Sequence, residues 1–369
     1  VFVTIPFFNS DLAVTLERFD ITSDILTVIS KNLEGEDYLE IQPSIVSYKI
    51  IYNQNSIGVM NFYNGIISSS FKLNNHQYEI CLFNNQYILF EASNSINTSN
   101  FSCQVEKTLS NVHNNNAASK SSLPVCVELA IEIDHYTRQT FNSDLEATNW
   151  ALAIIAGVSQ LYEAQTNASI SVITILIWNT TDPHALIVYP NLLSSVKNYW
   201  ISNNSNINRD LVHFMTKRTD VGMGGVAYLN GLCSTSSGYA WSGNLTNDTT
   251  YSFPNPTYTW NLMVVAHEAG HNFGANHTHW CGWLADPLYN FSGGGIDDCG
   301  VASGSSNACN PPAPPPSGGF GTIMSYCHTG GGASGIVLNF HDIVVSQALT
   351  PGIANASCLT TCGEGCTDS

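Results

Sequence analysis

From Phe2 to about Val112 the chain sets short apolar runs, IGVMNFYNGIISSSF and YEICLF among them, between breaks rich in Asn and Ser. Runs of this length, bounded by turn formers, predict short strands joined by tight turns. Residues 1–112 therefore read as a strand-rich domain. HNNNAASKSS, His113–Ser122, is polar and without period, the pattern of an exposed linker, which we place at residues 113–123. Beyond it Val127, Leu129, Ile131 and Ile133 alternate with Glu128, Ala130, Glu132 and Asp134, the period of a strand. Ser143 and Glu146 form a capping box ahead of an apolar run, predicting a helix to about Ala164. ISVITILIW predicts another strand, Gly224–Leu232 a glycine-rich edge strand, and the residues from about Asn261 a further helix. This order predicts an α/β fold over residues 124–357: a twisted, mostly parallel sheet with helices packed on it. CLTTCGEGCTDS, residues 358–369, reads as the start of a Cys-rich tail.

The helix from Asn261 contains HEAGHNFGANH, His267–His277, and this run carries the chemistry. Residues four apart share one face of a helix, so His267 and His271 can aim two imidazoles at one ion. Glu268 then lies beside the metal without ligating it, in the place of a general base. Gly274 allows a backbone conformation that other residues resist, and the turn brings round His277 as a third ligand. Three protein ligands with an open fourth position are the arrangement of catalytic rather than structural zinc. GTIMSYC places Met324 in a turn 47 residues after His277.

The long histidine motif joined to such a methionine turn resembles the metzincins, and within them the reprolysin/ADAM-type branch. The likeness spans roughly Pro124–Cys358. CVELAIEIDHYTRQTF resembles that branch's first strand and turn, ILIWNTTDP its calcium-site loop, GGVAYLNGLC its substrate-flanking edge strand, and TWNLMVVAHEAGHNFG its active-site helix. NHTHWC, GIDDC and GTIMSYCH are closer to microbial and protist members than to animal ones. The resemblance implies a zinc metalloendopeptidase acting on protein or peptide substrates, with residues 1–112 as a propeptide that inhibits it. It also implies a structural calcium held by Glu128 and Asp182, for which carboxylate oxygens are suitable donors. Thr361 stands where the family carries an asparagine three residues after its last cysteine, here Cys358. Tyr326 raises the question of an astacin-like tyrosine ligand; in the reprolysin pattern that position does not bind zinc. The family pairs Cys233 with Cys358, and its pocket beyond the scissile bond lies in or near GASGIVLNFH. The edge strand GGVAYLNG would hold a substrate by strand addition; the alternative is a glycine-containing strand buried in the sheet.

Bulk properties add a compartment and exclude partners. A net charge of −17 with only 11 basic residues argues against nucleic acid and against an anionic membrane. No stretch approaches the length of a membrane span. No signal peptide precedes Val1, so the chain is expected to be processed or trimmed, and an anchor beyond Ser369 stays open. Eleven cysteines and sequons at Asn97, Asn179, Asn244, Asn290 and Asn355 point to a secreted, disulfide-bonded glycoprotein. The sequon at Asn276 falls inside the zinc motif and is expected to be unused. A monomer is expected.

Cys281 follows His277 by four residues and Cys327 follows Met324 by three, which suggests a bridge between them and leaves Cys299 to pair with Cys309. Cys103, shortly before the linker, is the candidate thiol for blocking the zinc, with Cys81 second; the alternative is a disulfide between these two or from one of them to Cys126. His279 and His328 adjoin the motif, but the zinc sphere is full without them. A catalytically idle adhesion or binding module remains the other functional reading. Such relatives lose the glutamate or a histidine, and here all four positions are intact.

Overall fold

The computed structural model describes residues 1–39, 41–92, 103–106, 125–246, 258–302, 309, 313, 316, 320–328 and 335–361. The expected linker, most of the tail and the sequon at Asn97 lie outside them.

The N-terminal strands are β1 (Phe2–Phe7), β2 (Ser10–Phe19), β3 (Thr22–Asn32), β4 (Gly35–Leu39), β5 (Val46–Tyr52), β6 (Asn55–Tyr63), β7 (Ile66–Leu73), β8 (His76–Phe83) and β9 (Gln86–Glu91). Seven of them form an antiparallel sheet in the order β1-β2-β5-β6-β7-β8-β9. Four successive two-residue turns, Asn53-Gln54, Asn64-Gly65, Asn74-Asn75 and Asn84-Asn85, have positive φ at both positions. That backbone matches the twist of tight hairpins, and Asn and Gly adopt it at little cost, so the Asn-rich breaks build this meander.

A second sheet holds β10 (Cys103–Glu106), β11 (Val125–Ile133), β12 (Ala168–Trp178), β13 (Leu211–Met215), β14 (Gly225–Tyr228), β15 (Tyr239–Ser242) and β16 (Thr360–Thr361). Its order is β10-β14-β15-β13-β11-β12-β3-β4, with β16 on β11. β3, β12, β11, β13 and β15 run parallel, and β14 is antiparallel to β15. Two N-terminal pieces thus join this sheet: the β3–β4 hairpin beyond β12, and β10 along β14.

Helices α1 (His135–Arg138), α2 (Asp144–Thr166), α3 (Leu192–Asn203) and α4 (Tyr258–Asn272) cover the sheet. α2 starts where the capping box predicts: the Ser143 side chain accepts from Glu146 N, 3.2 Å away. It ends on Asn167, which takes the left-handed conformation at φ 62°. Both faces of β11 are buried, so the alternation seen in the sequence does not separate core from solvent. Glu132, fully buried on the second face, accepts from the indole N–H groups of Trp178 (2.7 Å) and Trp200 (2.5 Å), which compensates its removal from water. No helix among the described residues is long and apolar enough to cross a membrane.

Candidate metal centre

α4 begins on a carboxylate from far earlier in the chain. Glu79, buried on β8, accepts from the backbone N–H groups of Tyr258 (3.3 Å) and Thr259 (2.9 Å). First-turn N–H groups have no partner within a helix and carry partial positive charge, so an anion suits them. Every residue of α4 is buried, and its last turns carry His267, Glu268 and His271.

His267 Nδ1 faces the carbonyl oxygen of Ile323 at 2.6 Å and His271 Nδ1 that of Ala275 at 2.7 Å, which leaves each Nε2 to point the other way. Gly274, at φ +103°, turns the chain out of the helix. A Cβ on it would fall 2.5 Å from Asn230 Oδ1, so both conformation and space require glycine. His277 follows, its ring centroid 4.7 Å from that of His271 and 5.2 Å from that of His267. The Met324 turn holds this segment through Thr278 N, which donates to Met324 O at 3.0 Å. Met324 is buried under α4, its Sδ 2.6 Å from where a Cβ on Gly270 would stand.

Ligand atoms of His267, His271, His277 and Cys103 all lie within 4.8 Å of one another. His277 Nε2 is buried without a hydrogen bond, a state that buried nitrogen seldom keeps unless something else binds it. Burial pushes His267 down to about 4, and burial with the neighbouring imidazoles holds His271 and His277 well below the usual histidine range. Neutral rings offer lone pairs. Three imidazoles and one sulfur at this spacing fit a tetrahedral zinc ion.

Cys103 enters on β10, which pairs parallel with β14, Cys103 opposite Gly225. It is a buried thiol, with Sγ 3.5 Å from His271 Nε2. Burial, and then the charge of Glu268, push that thiol well above its usual range. The Tyr326 hydroxyl donates to the carbonyl oxygen of Cys103, so in this arrangement Tyr326 grips the β10 backbone. Burial likewise raises Glu268 well above the carboxylate range. Its side chain lies against Gly225 so closely that a Cβ there would fall 2.2 Å from Oε1.

A family model described as Reprolysin_5, Metallo-peptidase family M12, matches residues 125–337, more than half of the chain. The chain belongs to metallopeptidase family M12. Its substrates are accordingly peptides. No curated protein matches it. Among solved structures it is similar to the crystal structure of metalloproteinase-II from Bacteroides fragilis, at 10% identity and a TM-score of 0.41, over 75% of this chain and 81% of that one.

Within the M12 chain the structure brings His267, Glu268, His271, His277, Met324 and Gly274 together, and of the two candidate thiols it places Cys103 beside the three histidines. His279 stacks on His277 at 5.0 Å and His328 Nδ1 faces Ser325 O at 3.1 Å; neither belongs to the ligand group. The calcium pair does not form. Asp182 accepts from His135 N at the end of β11, whereas Glu128 lies near its start, seven residues earlier. At about 3.3 Å per strand residue the two carboxylates stand on the order of 20 Å apart. Asp210 is the acid beside Glu128, its Oδ2 accepting from Glu128 N at 2.8 Å. The cysteines near the site also pair otherwise than expected: Cys281 with Cys309, and Cys299 with Cys327. A short helix, Cys299–Ala302, packs Gly300 against the His279 ring and so delivers Cys299 to Cys327. Cys233 does pair with Cys358. Three residues escaped the sequence reading: Glu79, Gly225 and the clasp role of Tyr326. Each acts across a contact between distant segments, and no local spacing marks it.

A cavity of about 780 Å³, which none of the ligand group lines, lies where Lys72 and His76 of the N-terminal sheet face Asp297, Val337, Asn339 and His341.

Proposed function

We propose that the protein is a secreted zinc endopeptidase, made as a zymogen in which Cys103 closes the metal site. The observation that carries this reading is the meeting of Cys103 with the three histidines inside 4.8 Å. A zinc ion held by His267, His271 and His277 would supply a Lewis acid for the scissile carbonyl and make water acidic enough to react near neutral pH. Glu268 takes the proton of that water on its carboxylate and hands it to the leaving amine. General acid–base help of this kind contributes roughly 10²–10⁴-fold. β14 binds the substrate backbone by strand addition once β10 has left it, because β10 uses the same edge now. Seven cysteines engaged in disulfides support the secretory route. The intact and buried Glu268 weighs against an idle module.

The test is a pair of variants of the full chain. Cys103→Ala should cleave a denatured protein without prior processing, and Cys103→Ala with Glu268→Ala should keep one zinc per chain and cleave at least about 100-fold more slowly. Equal cleavage by the two variants would sink the mechanism. A silent Cys103→Ala that still needs a cut between Glu106 and Val125 would mean that the N-terminal region blocks the cleft by bulk alone.

A further inference from the structure

The first 106 residues meet the rest of the chain in two different ways. β10 is an added edge: four residues pair with β14, and Cys103 reaches the histidines. β3 is built in. It lies parallel to β12 from Val172↔Thr22 to Trp178↔Lys31, with β4 on its far side. Val28 is fully buried in the core that contains Ile131, Trp150 and Met324, while Ile29 is buried in the opposite core with Leu176 and Trp200. One strand therefore fills both faces of the sheet. Its removal would bare the hydrogen-bonding edge of β12 and open both cores.

β6, β7 and β8 tie the same N-terminal body to the helices. Besides the Glu79 cap on α4, Ser70 Oγ lies 2.8 Å from Thr259 Oγ1, and Asn61 Nδ2 donates to the Tyr258 hydroxyl (2.7 Å) and to Ala153 O (3.2 Å). All these groups are buried, and separating the two sides would take from each a partner it now has. β10, by contrast, is attached through one four-residue edge and the contacts of Cys103 with His271 and Tyr326.

We infer that the body formed by β1–β9 is a permanent subunit of the working peptidase, and that β10 alone is its removable inhibitor. The word working rests on the peptidase reading above; the attachment of the body does not. Hydrolysis of one peptide bond between Glu106 and Val125 adds water across it, giving a carboxylate and an amine, and the pairing of β3 with β12 and the Glu79 cap on α4 are made by residues on the described sides of that bond. The freed end lets β10 leave β14 and Cys103 leave the histidines. The product is a two-chain enzyme whose second chain is its own N-terminal fragment.

The experiment places the recognition sequence of an added protease within residues 113–122 of the full chain, cuts it in native buffer, and follows the fragments by size exclusion. Both fragments should elute together at the volume of the uncut chain and separate only in denaturant. The Cys103→Ala chain, cut in the same way, should also elute as one, because the thiol is not what holds the body. Separation in native buffer, with the C-terminal fragment still folded by circular dichroism, overturns the inference, as does co-elution that disappears in Cys103→Ala. Co-elution without any peptidase activity supports the retained subunit and tells against the peptidase reading instead.

Discussion

The Tyr326 hydroxyl, two residues beyond Met324, donates its hydrogen bond to the backbone carbonyl of Cys103. One turn therefore meets both the segment after the histidine helix, through Met324 O and Thr278 N, and β10, through Tyr326. Tyr326→Phe removes that bond, at a cost of about 1 kcal/mol to the closed state. Labelling of the Cys103 thiol by a maleimide in the uncut, metal-free chain should then be at least about 5-fold faster. An unchanged labelling rate would show that the bond does not hold β10 in place.

Gly225 sets how close Glu268 comes to the edge strand. A methyl group there meets the carboxylate at 2.2 Å, so Gly225→Ala must move Glu268, and a displacement near 1 Å costs roughly 100-fold in turnover. Zinc content of the processed protein should not change, since the atoms nearest a Cβ on Gly225 belong to Glu268 and not to the three histidines. Full kcat in the processed Gly225→Ala protein would refute this.

Gly274→Ala should weaken the metal site instead. The positive φ costs an alanine on the order of 1–2 kcal/mol, and Asn230 Oδ1 blocks the Cβ. The strain falls on the turn that delivers His277. Zinc should be lost to a chelator at a concentration at least about 10-fold lower than for the wild type. Chelator titrations that superimpose would show that the turn absorbs the change.

Stability should depend on pH through Asp134, fully buried at the end of β11. Burial pushes its carboxyl up from 3.8 to about 6, against the hydrogen bonds that Thr137 and Thr216 donate to it. An acid whose pKa rises on folding is favoured in its protonated form, so its contribution is present below 3.8 and is lost as pH rises through about 6. Asp134→Asn copies the protonated form. Its melting temperature should match wild type near pH 4 and exceed it above pH 6, by an amount corresponding to at most about 3 kcal/mol. A gap of the same size at both pH values would exclude this titration.

The ligands were legible because their geometry is local. His267 and His271 are one helical turn apart, Gly274 forces the exit, and His277 follows within the same short run, so spacing alone brings three nitrogens together. The strands of the meander were legible for the same reason, since two-residue Asn turns leave adjacent strands little choice but to pair. Glu128 and Asp182 show the limit. Both are acids near strand ends, but a sequence does not say which end of β11 each one meets, and the structure puts Asp210 beside Glu128 instead. The cysteines failed similarly: closeness to the zinc did not settle Cys281, because a short helix brings Cys299 to Cys327 first. By itself, then, the sequence determined the metal-binding turn, the elements around it and the chemistry that three imidazoles and a carboxylate can perform. Only the tertiary structure decided that β3 joins the sheet beside β12, that Glu79 caps α4 and that Cys103 lies beside the three histidines. Those contacts join residues more than a hundred positions apart, and packing rather than periodicity selects them.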